Sequence, residues 1–341
     1  MKRSRRVTPY GFLAACVLTS GVLAAFHGAA AQEQEKFTNL KVLPKDVSPE
    51  ELRATMGQFT RALGVRCNFC HAAKAGEQRL DFALDDKPEK KTARAMMQMT
   101  HDLNDKYLGA LEDRGNPPVK VGCFTCHHGT NRPRTLQDVL KTAYAHGGVD
   151  STRARYSSLH DRYYGSAAYD FGEVPLADVA QSLADSGHVA DAVNLLAMNV
   201  DMNPKSTFAQ RQLAAANVLL AFSEQGGDSG VAVYQRSKSQ FGQPREQEGL
   251  VAGIGGRLMR AGKTESAIAA YKLNTTEHPQ SGDAFSDLGG AYLKHGDKKQ
   301  AIDAYLVAVS LDPTDTTSVK QLQSLKVSKG KIEKAQKHQK K

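Results

Sequence analysis

Two five-residue runs carry the chemistry of this chain: Cys67-Asn68-Phe69-Cys70-His71 and Cys123-Phe124-Thr125-Cys126-His127. Two thiols three positions apart can reach the two vinyl groups on one porphyrin edge and form thioethers, and the residue that follows places an imidazole under the iron. The pattern is the attachment signature of haem c, and it uses four of the five cysteines. Other chemistries fit less well. Two C-x-x-C pairs can build a zinc site, but 52 residues separate Cys70 from Cys123, far beyond ribbon spacing. A thioredoxin-type pair needs a βαβ setting, which the flanking helical periodicity denies. Two disulfides suit an exported chain but leave both histidines without a reason. The expectation is two covalent haems c, attached through Cys67, Cys70, Cys123 and Cys126, with His71 and His127 as proximal iron ligands.

Each iron needs a ligand on its other face, and the elements before the motifs offer one. Ser48-Pro49-Glu50-Glu51 reads as an N-cap, a proline at the first helical position and a capping box. Leu52, Met56, Phe59 and Leu63 then recur on one helix face, and Gly64 ends the helix just before Cys67. Met56 is mid-helix on that apolar face. It reads either as a core side chain or as the ligand of the adjacent haem, and the haem favours the ligand. A second helix begins after Asp86-Lys87-Pro88 and runs to about Leu111, with Ala93, Met96, Thr100, Leu103 and Tyr107 on one face. Met97 points elsewhere, and Met99 lies close to the Met96 face, so periodicity leaves Met96 and Met99 both open. His101, His128 and His146 are further candidates of the lone-histidine kind.

The segments Met56-Gly57-Gln58-Phe59-Thr60 before Cys67, and Ala95-Met96-Met97-Gln98-Met99-Thr100 before Cys123, resemble the haem segments of the cytochrome c subunit of photosynthetic reaction centres over residues 37–135. In that family a methionine on the helix preceding each motif is usually the sixth ligand. The resemblance therefore implies Met56 for the first iron and Met96 for the second. The chain also departs from the family: it has two motifs instead of four, His128 follows the second attachment histidine, and the loop Glu112–Gly122 is long.

Residues 173–313 repeat themselves. Phe285, Leu288, Gly289, Tyr292, Ala301, Tyr305 and Pro313 fall on the frame of a tetratricopeptide unit. Ile254, Gly255, Leu258, Ala267, Tyr271 and Pro279 occupy the same frame 34 residues earlier. Ala180, Leu183, Gly187, Ala192, Leu196 and Pro204 give a third copy, and 205–247 a degenerate one with an insertion at Gln225–Gly230. This half resembles a tetratricopeptide domain of three to four repeats, whose units bury their apolar faces against one another. Residues 136–172 read as a helical connector broken at Gly147-Gly148, and 326–341 as a lysine-rich, disordered tail.

The net charge of +9 sits at the ends: four bases and no acid in residues 1–31, and seven lysines against Glu333 in 326–341. The 294 residues between them hold 34 bases and 35 acids, which excludes an electrostatic nucleic-acid binder. The basic start, the apolar run Gly11–Phe26 and Ala29-Ala30-Ala31 have the order of an export signal cleaved after Ala31, a retained membrane anchor being the alternative. The expected fold class is all-α: a small dihaem c-type cytochrome domain followed by an α-solenoid of tetratricopeptide-like helix pairs. The expected function is periplasmic electron transfer, with a redox partner protein docked by the repeats. Membrane association through the N-terminus or the lysine-rich tail is compatible with that role. A dihaem peroxidase would need an open iron with acid and base groups beside it, and no such constellation is marked. A scaffold whose main activity is repeat-mediated binding is the third reading.

Overall fold

The computed structural model describes residues 37–337, and the expected export segment 1–31 lies outside them. The first helix forms as its sequence dictates. In α1 (Pro49–Leu63), Ser48 Oγ accepts from the Glu51 amide (3.2 Å) while the Glu51 carboxylate accepts from the Ser48 amide (3.1 Å). Gly64, at φ +64°, closes the helix in the left-handed region. A tight turn at Cys67–Phe69 follows, then a short antiparallel pair, β1 (Ala72–Ala73) against β2 (Leu80–Asp81), with Ala72 opposite Asp81. The second helix, α2 (Pro88–Asp102), continues through a π-helical turn at Leu103–Leu108. The second motif is itself a short helix, α3 (Cys123–His127).

From Leu136 onward the chain is a stack of helix pairs. It opens with α4 (Leu136–Tyr163), whose helical path breaks at Gly147 and Gly148 as expected. Then follow α5 (Glu173–Asp185) with α6 (Val189–Met202), α7 (Thr207–Leu220) with α8 (Gly227–Ser237), and α9 (Pro244–Arg260) with α10 (Thr264–Glu277). The array ends with α11 (Gly282–His295), α12 (Lys298–Leu311), α13 (Thr316–Ser324) and α14 (Lys329–Lys337). Helices pack within pairs and onto the next pair, α10 on α11 and α6 on α7, the arrangement of an α-solenoid. The 34-residue frame has a steric basis. A Cβ on Gly255 would lie 2.5 Å from the Tyr271 ring, and one on Gly289 would lie 2.7 Å from the Tyr305 ring. Each glycine lets its helix rest on an aromatic of the partner helix.

The connector 136–172 packs on the first helix pair of the array: Leu136, Leu140, Tyr156 and Leu159 are buried in one apolar cluster with Leu176, Val179 and Ala180 of α5. Within Gln225–Gly230 the chain is already helical from Gly227, where α8 starts, and Gly230 packs against the Phe222 ring, where a Cβ would come within 2.2 Å. The lysine-rich end is ordered as far as Lys337, because Ile332 is 4% exposed and joins the core of the last pairs, with Val327 and Ala335 packed beside it. One apolar anchor decides the conformation of a segment whose composition reads as solvated.

Each fully buried Leu or Tyr of α4 contributes about 1.5–3 kcal/mol of burial free energy. A fragment of residues 136–337 is therefore expected to unfold cooperatively, without haem, at a clearly higher temperature than a fragment of residues 173–325. Equal melting temperatures by circular dichroism would show that α4 adds nothing to the array.

Candidate haem-attachment sites

In both motifs the two cysteines and the histidine share one helical turn, which is what a spacing of three and then one produces. In the first, the amides of Cys70 (3.2 Å) and His71 (3.0 Å) both donate to the Cys67 carbonyl. In the second, the turn is α3 itself, opened by the Gly122 amide donating to Thr125 Oγ1 (3.0 Å). All four cysteines are free thiols. Within each motif one is half-buried (Cys70, Cys123) and one exposed (Cys67, Cys126). Burial pushes the thiols of Cys70 and Cys123 up, so both stay protonated at neutral pH. Among the described residues no three His, Cys, Asp or Glu side chains converge, so the two pairs do not pool into one cluster.

The histidines are held differently. His127 Nδ1 donates to the Thr130 carbonyl (2.8 Å), while the Thr130 amide and hydroxyl both donate back to the His127 carbonyl (2.8 Å each). That bond fixes the tautomer and leaves Nε2 with its lone pair. His71 Nδ1 is buried and makes no hydrogen bond, and the ring rests edge-on against Phe82 at 5.0 Å. Burial lowers the His71 pKa, helped by Lys90 and Arg94, and so favours the neutral imidazole that ligation requires. His128 caps α3 with its backbone, its amide at φ +47° donating to the Phe124 carbonyl, while its ring lies edge-on to Phe124 with Nδ1 buried and without a hydrogen-bond partner. His101 pairs with Asp105 (3.1 Å) on an exposed face, and His146 is exposed beside the α4 break.

Met56 is half-buried on α1. Met96 and Met99, at 39% and 43% exposure, both look outward from α2, while Met97 is half-buried. Exposure does not separate Met96 from Met99, and the two methionine helices share one local feature. Thr60 Oγ1 donates to the Gly57 carbonyl (2.9 Å), and Thr100 Oγ1 donates to the Met97 carbonyl (2.9 Å). Aligning Met-Gly-Gln-Phe-Thr of α1 on Met-Met-Gln-Met-Thr of α2 by that bond sets Met96 on Met56 and Met99 on Phe59.

Two sets of contacts position these elements, and sequence reading missed both. The first gathers around Asp85. Its carboxylate accepts from Arg94 (2.9 Å) and Lys90 (3.0 Å) of α2 and from Lys41 (2.8 Å) and Asn39 (2.9 Å), and Arg94, Lys41 and Lys90 hold it well below the usual carboxylate range. The N-terminal segment is thereby pinned to α2. The second joins the two motifs. The Gly129 amide donates to the Ala62 carbonyl (2.9 Å), α1 packs on α3, and a Cβ on Gly64 would sit 2.0 Å from the Gly129 carbonyl oxygen. The end of the first methionine helix therefore abuts the end of the second motif.

One property of the whole segment bears on what it holds. Of its apolar side chains in residues 37–135 only Ala62 is buried; every other buried apolar side chain lies at or beyond Leu136. Phe82, Tyr107, Leu111, Val119 and Phe124 are all more than half exposed. Protein contacts alone do not give this segment a core, and two porphyrins with their thioether and imidazole partners fit both the donor set and the missing apolar area.

Residues 15–170 match the family model described as the photosynthetic reaction centre cytochrome C subunit, a longer stretch than the two motifs with their helices. The chain is 31% identical over 86 residues to the photosynthetic reaction center cytochrome c subunit of Thermochromatium tepidum, covering 23% of this chain and 20% of that protein. It is 32% identical over 108 residues to cytochrome c-554 of Chloroflexus aurantiacus, covering 31% of this chain and 23% of that protein. The chain thus spans about a fifth to a quarter of the length of these curated relatives. Among solved structures, the tetratricopeptide-repeat protein YrrB is similar over 55% of this chain and 90% of its own, at 13% identity and a TM-score of 0.29. MamA is similar over 52% of this chain and 90% of its own, at 19% identity and a TM-score of 0.28.

Proposed function

We propose, from the likeness of residues 15–170 to the reaction-centre cytochrome family, that this chain is an exported dihaem c-type cytochrome that transfers electrons and docks a redox partner protein on its helical array. Cys67 and Cys70 attach the first haem, with His71 and Met56 as iron ligands. Cys123 and Cys126 attach the second, with His127 and Met96. The observation that carries this reading is a segment with two C-x-x-C-H turns, each preceded by a methionine-bearing helix, that buries a single apolar side chain of its own.

When bound, each haem supplies a one-electron couple whose potential methionine ligation raises. The chain does the rest. The Thr130 carbonyl holds His127 with Nε2 free for the iron, burial keeps His71 neutral, and the Gly64–Gly129 contact brings the two sites together. The array supports docking by its extended stack of helix pairs, and the order of basic, apolar and small residues in 1–31 supports export. No helix among the described residues is long and apolar enough to cross a membrane. Protein matured in the periplasm is expected to give two haems c per chain in a pyridine haemochrome assay, and one haem or none would overturn the reading.

A further inference from the structure

The two sites meet their methionine helices by different routes. At the first, α1 ends at Leu63, Gly64 turns the chain and Cys67 follows at once, so the chain itself sets Met56 against the motif. At the second, residues 103–122 separate α2 from Cys123, and a connection of that length fixes no distance between its ends. One side chain spans the gap. Asn104 Nδ2 donates to the Val121 carbonyl (2.7 Å) and to the Thr100 carbonyl (2.8 Å), and Asn104 Oδ1 accepts from the Val121 amide (2.8 Å). A single carboxamide thus makes both bonds that a paired strand would make with Val121, and anchors itself to α2 by a third. Asn104 lies in the π-helical turn that ends α2, a local widening that re-aims side chains and recurs at functional sites. Val121 runs directly into Gly122, whose amide opens α3.

Resting on the haem reading above, we infer that Asn104 is the positioning residue of the second haem site. It holds the Cys123 motif at the separation from α2 at which the α2 methionine reaches the iron, and it acts only through Val121 and Thr100. Without it, the segment 105–120 is a free tether, and methionine ligation competes with the entropy of that tether.

The test uses the full chain matured with haem. Asn104→Ala is expected to keep two haems, because Cys123, Cys126 and His127 are untouched, while the second haem's potential falls. Its ferrous form is expected to bind carbon monoxide about tenfold more tightly, the size of effect that follows from stranding one half-buried amide. The first haem should be unchanged. Asn104→Asp keeps the acceptor for the Val121 amide and loses both donations, so an intermediate shift is expected. Hydrogen exchange at the Val121 amide, a readout that does not pass through the haem, should quicken in the same order. If both variants lower the melting temperature but leave both potentials and the carbon monoxide response as in the parent, Asn104 is a structural residue only and the inference fails. If Asn104→Ala yields no holoprotein, Asn104→Asp decides by the same criteria. A parent chain with fewer than two haems overturns the haem reading and this inference with it, an outcome that haemochrome content tells apart from the others.

Discussion

A chain in which Cys67 and Cys70 are both serine is expected to mature with one haem instead of two, and to lose protection from proteolysis through residues 37–135 while the array melts unchanged. The argument is one of area. A protein segment of this size stays folded by burying apolar surface, and here Phe82, Tyr107, Leu111, Val119 and Phe124 remain open to solvent while only Ala62 is sequestered. The half-buried polar knot at Asp85 cannot substitute, because it pins Lys41, Lys90 and Arg94 without burying apolar surface. Removing all four motif cysteines should leave residues 37–135 fully exchanging in hydrogen exchange, whereas α4 to α14, with two apolar clusters that together run from Leu136 to Ile332, keep slow amides. A haem-free segment as protected as the array would show that the porphyrins are not its core.

Replacing the axial methionines should act on potential and not on haem content. Met56→Ala is expected to lower one haem's potential on the order of 0.1 V, a fraction of the roughly 0.8 V that axial-ligand choice spans, and to open that haem to carbon monoxide. Met96→Ala should do the same at the other haem, and Met97→Ala at neither. Met99→Ala is the discriminating variant. The resemblance places the ligand at Met96, with Met99 in register with the half-buried Phe59 of α1, so its loss should leave both haems closed. Carbon monoxide uptake by the Met99 variant, with Met96→Ala spectrally intact, would move the ligand by one helical turn.

Much of this was legible from the chain alone, for a physical reason. The capping box at Ser48, the stop at Gly64 and the break at Gly147-Gly148 are decided by bonds and sterics within a few residues, and all stand where the sequence put them. The tetratricopeptide frame was legible because Gly255 and Gly289 repeat the same contact 34 residues apart. What escaped depends mostly on partners distant in sequence. Nothing local marks Asn104 for Val121 or Asp85 for Lys41, and the Thr130 carbonyl, though near His127, carries no residue-type signal because it is backbone. The lysine-rich end misled for a related reason: its fate turns on the burial of Ile332, which composition averages away.

The contact between Gly64 and Gly129 gives the segment a topology with consequences for descent as well as for stability. Residues 65–128, both motifs and α2 among them, form one long loop whose two ends are stitched at a neck by the Gly129–Ala62 hydrogen bond. Closing a loop costs an entropy that grows only logarithmically, about 0.6 kcal/mol for each doubling of length. Residues can therefore be added to or removed from the stretch 109–120 at little thermodynamic cost, and length differences there carry almost no information about whether two such chains share a site. The neck has the opposite character. Gly64 needs a positive φ and has the Gly129 carbonyl oxygen where its Cβ would be, so it accepts neither a side chain nor a shift in register. Insertions are free to accumulate in the body of the loop, and substitutions are stopped at its throat.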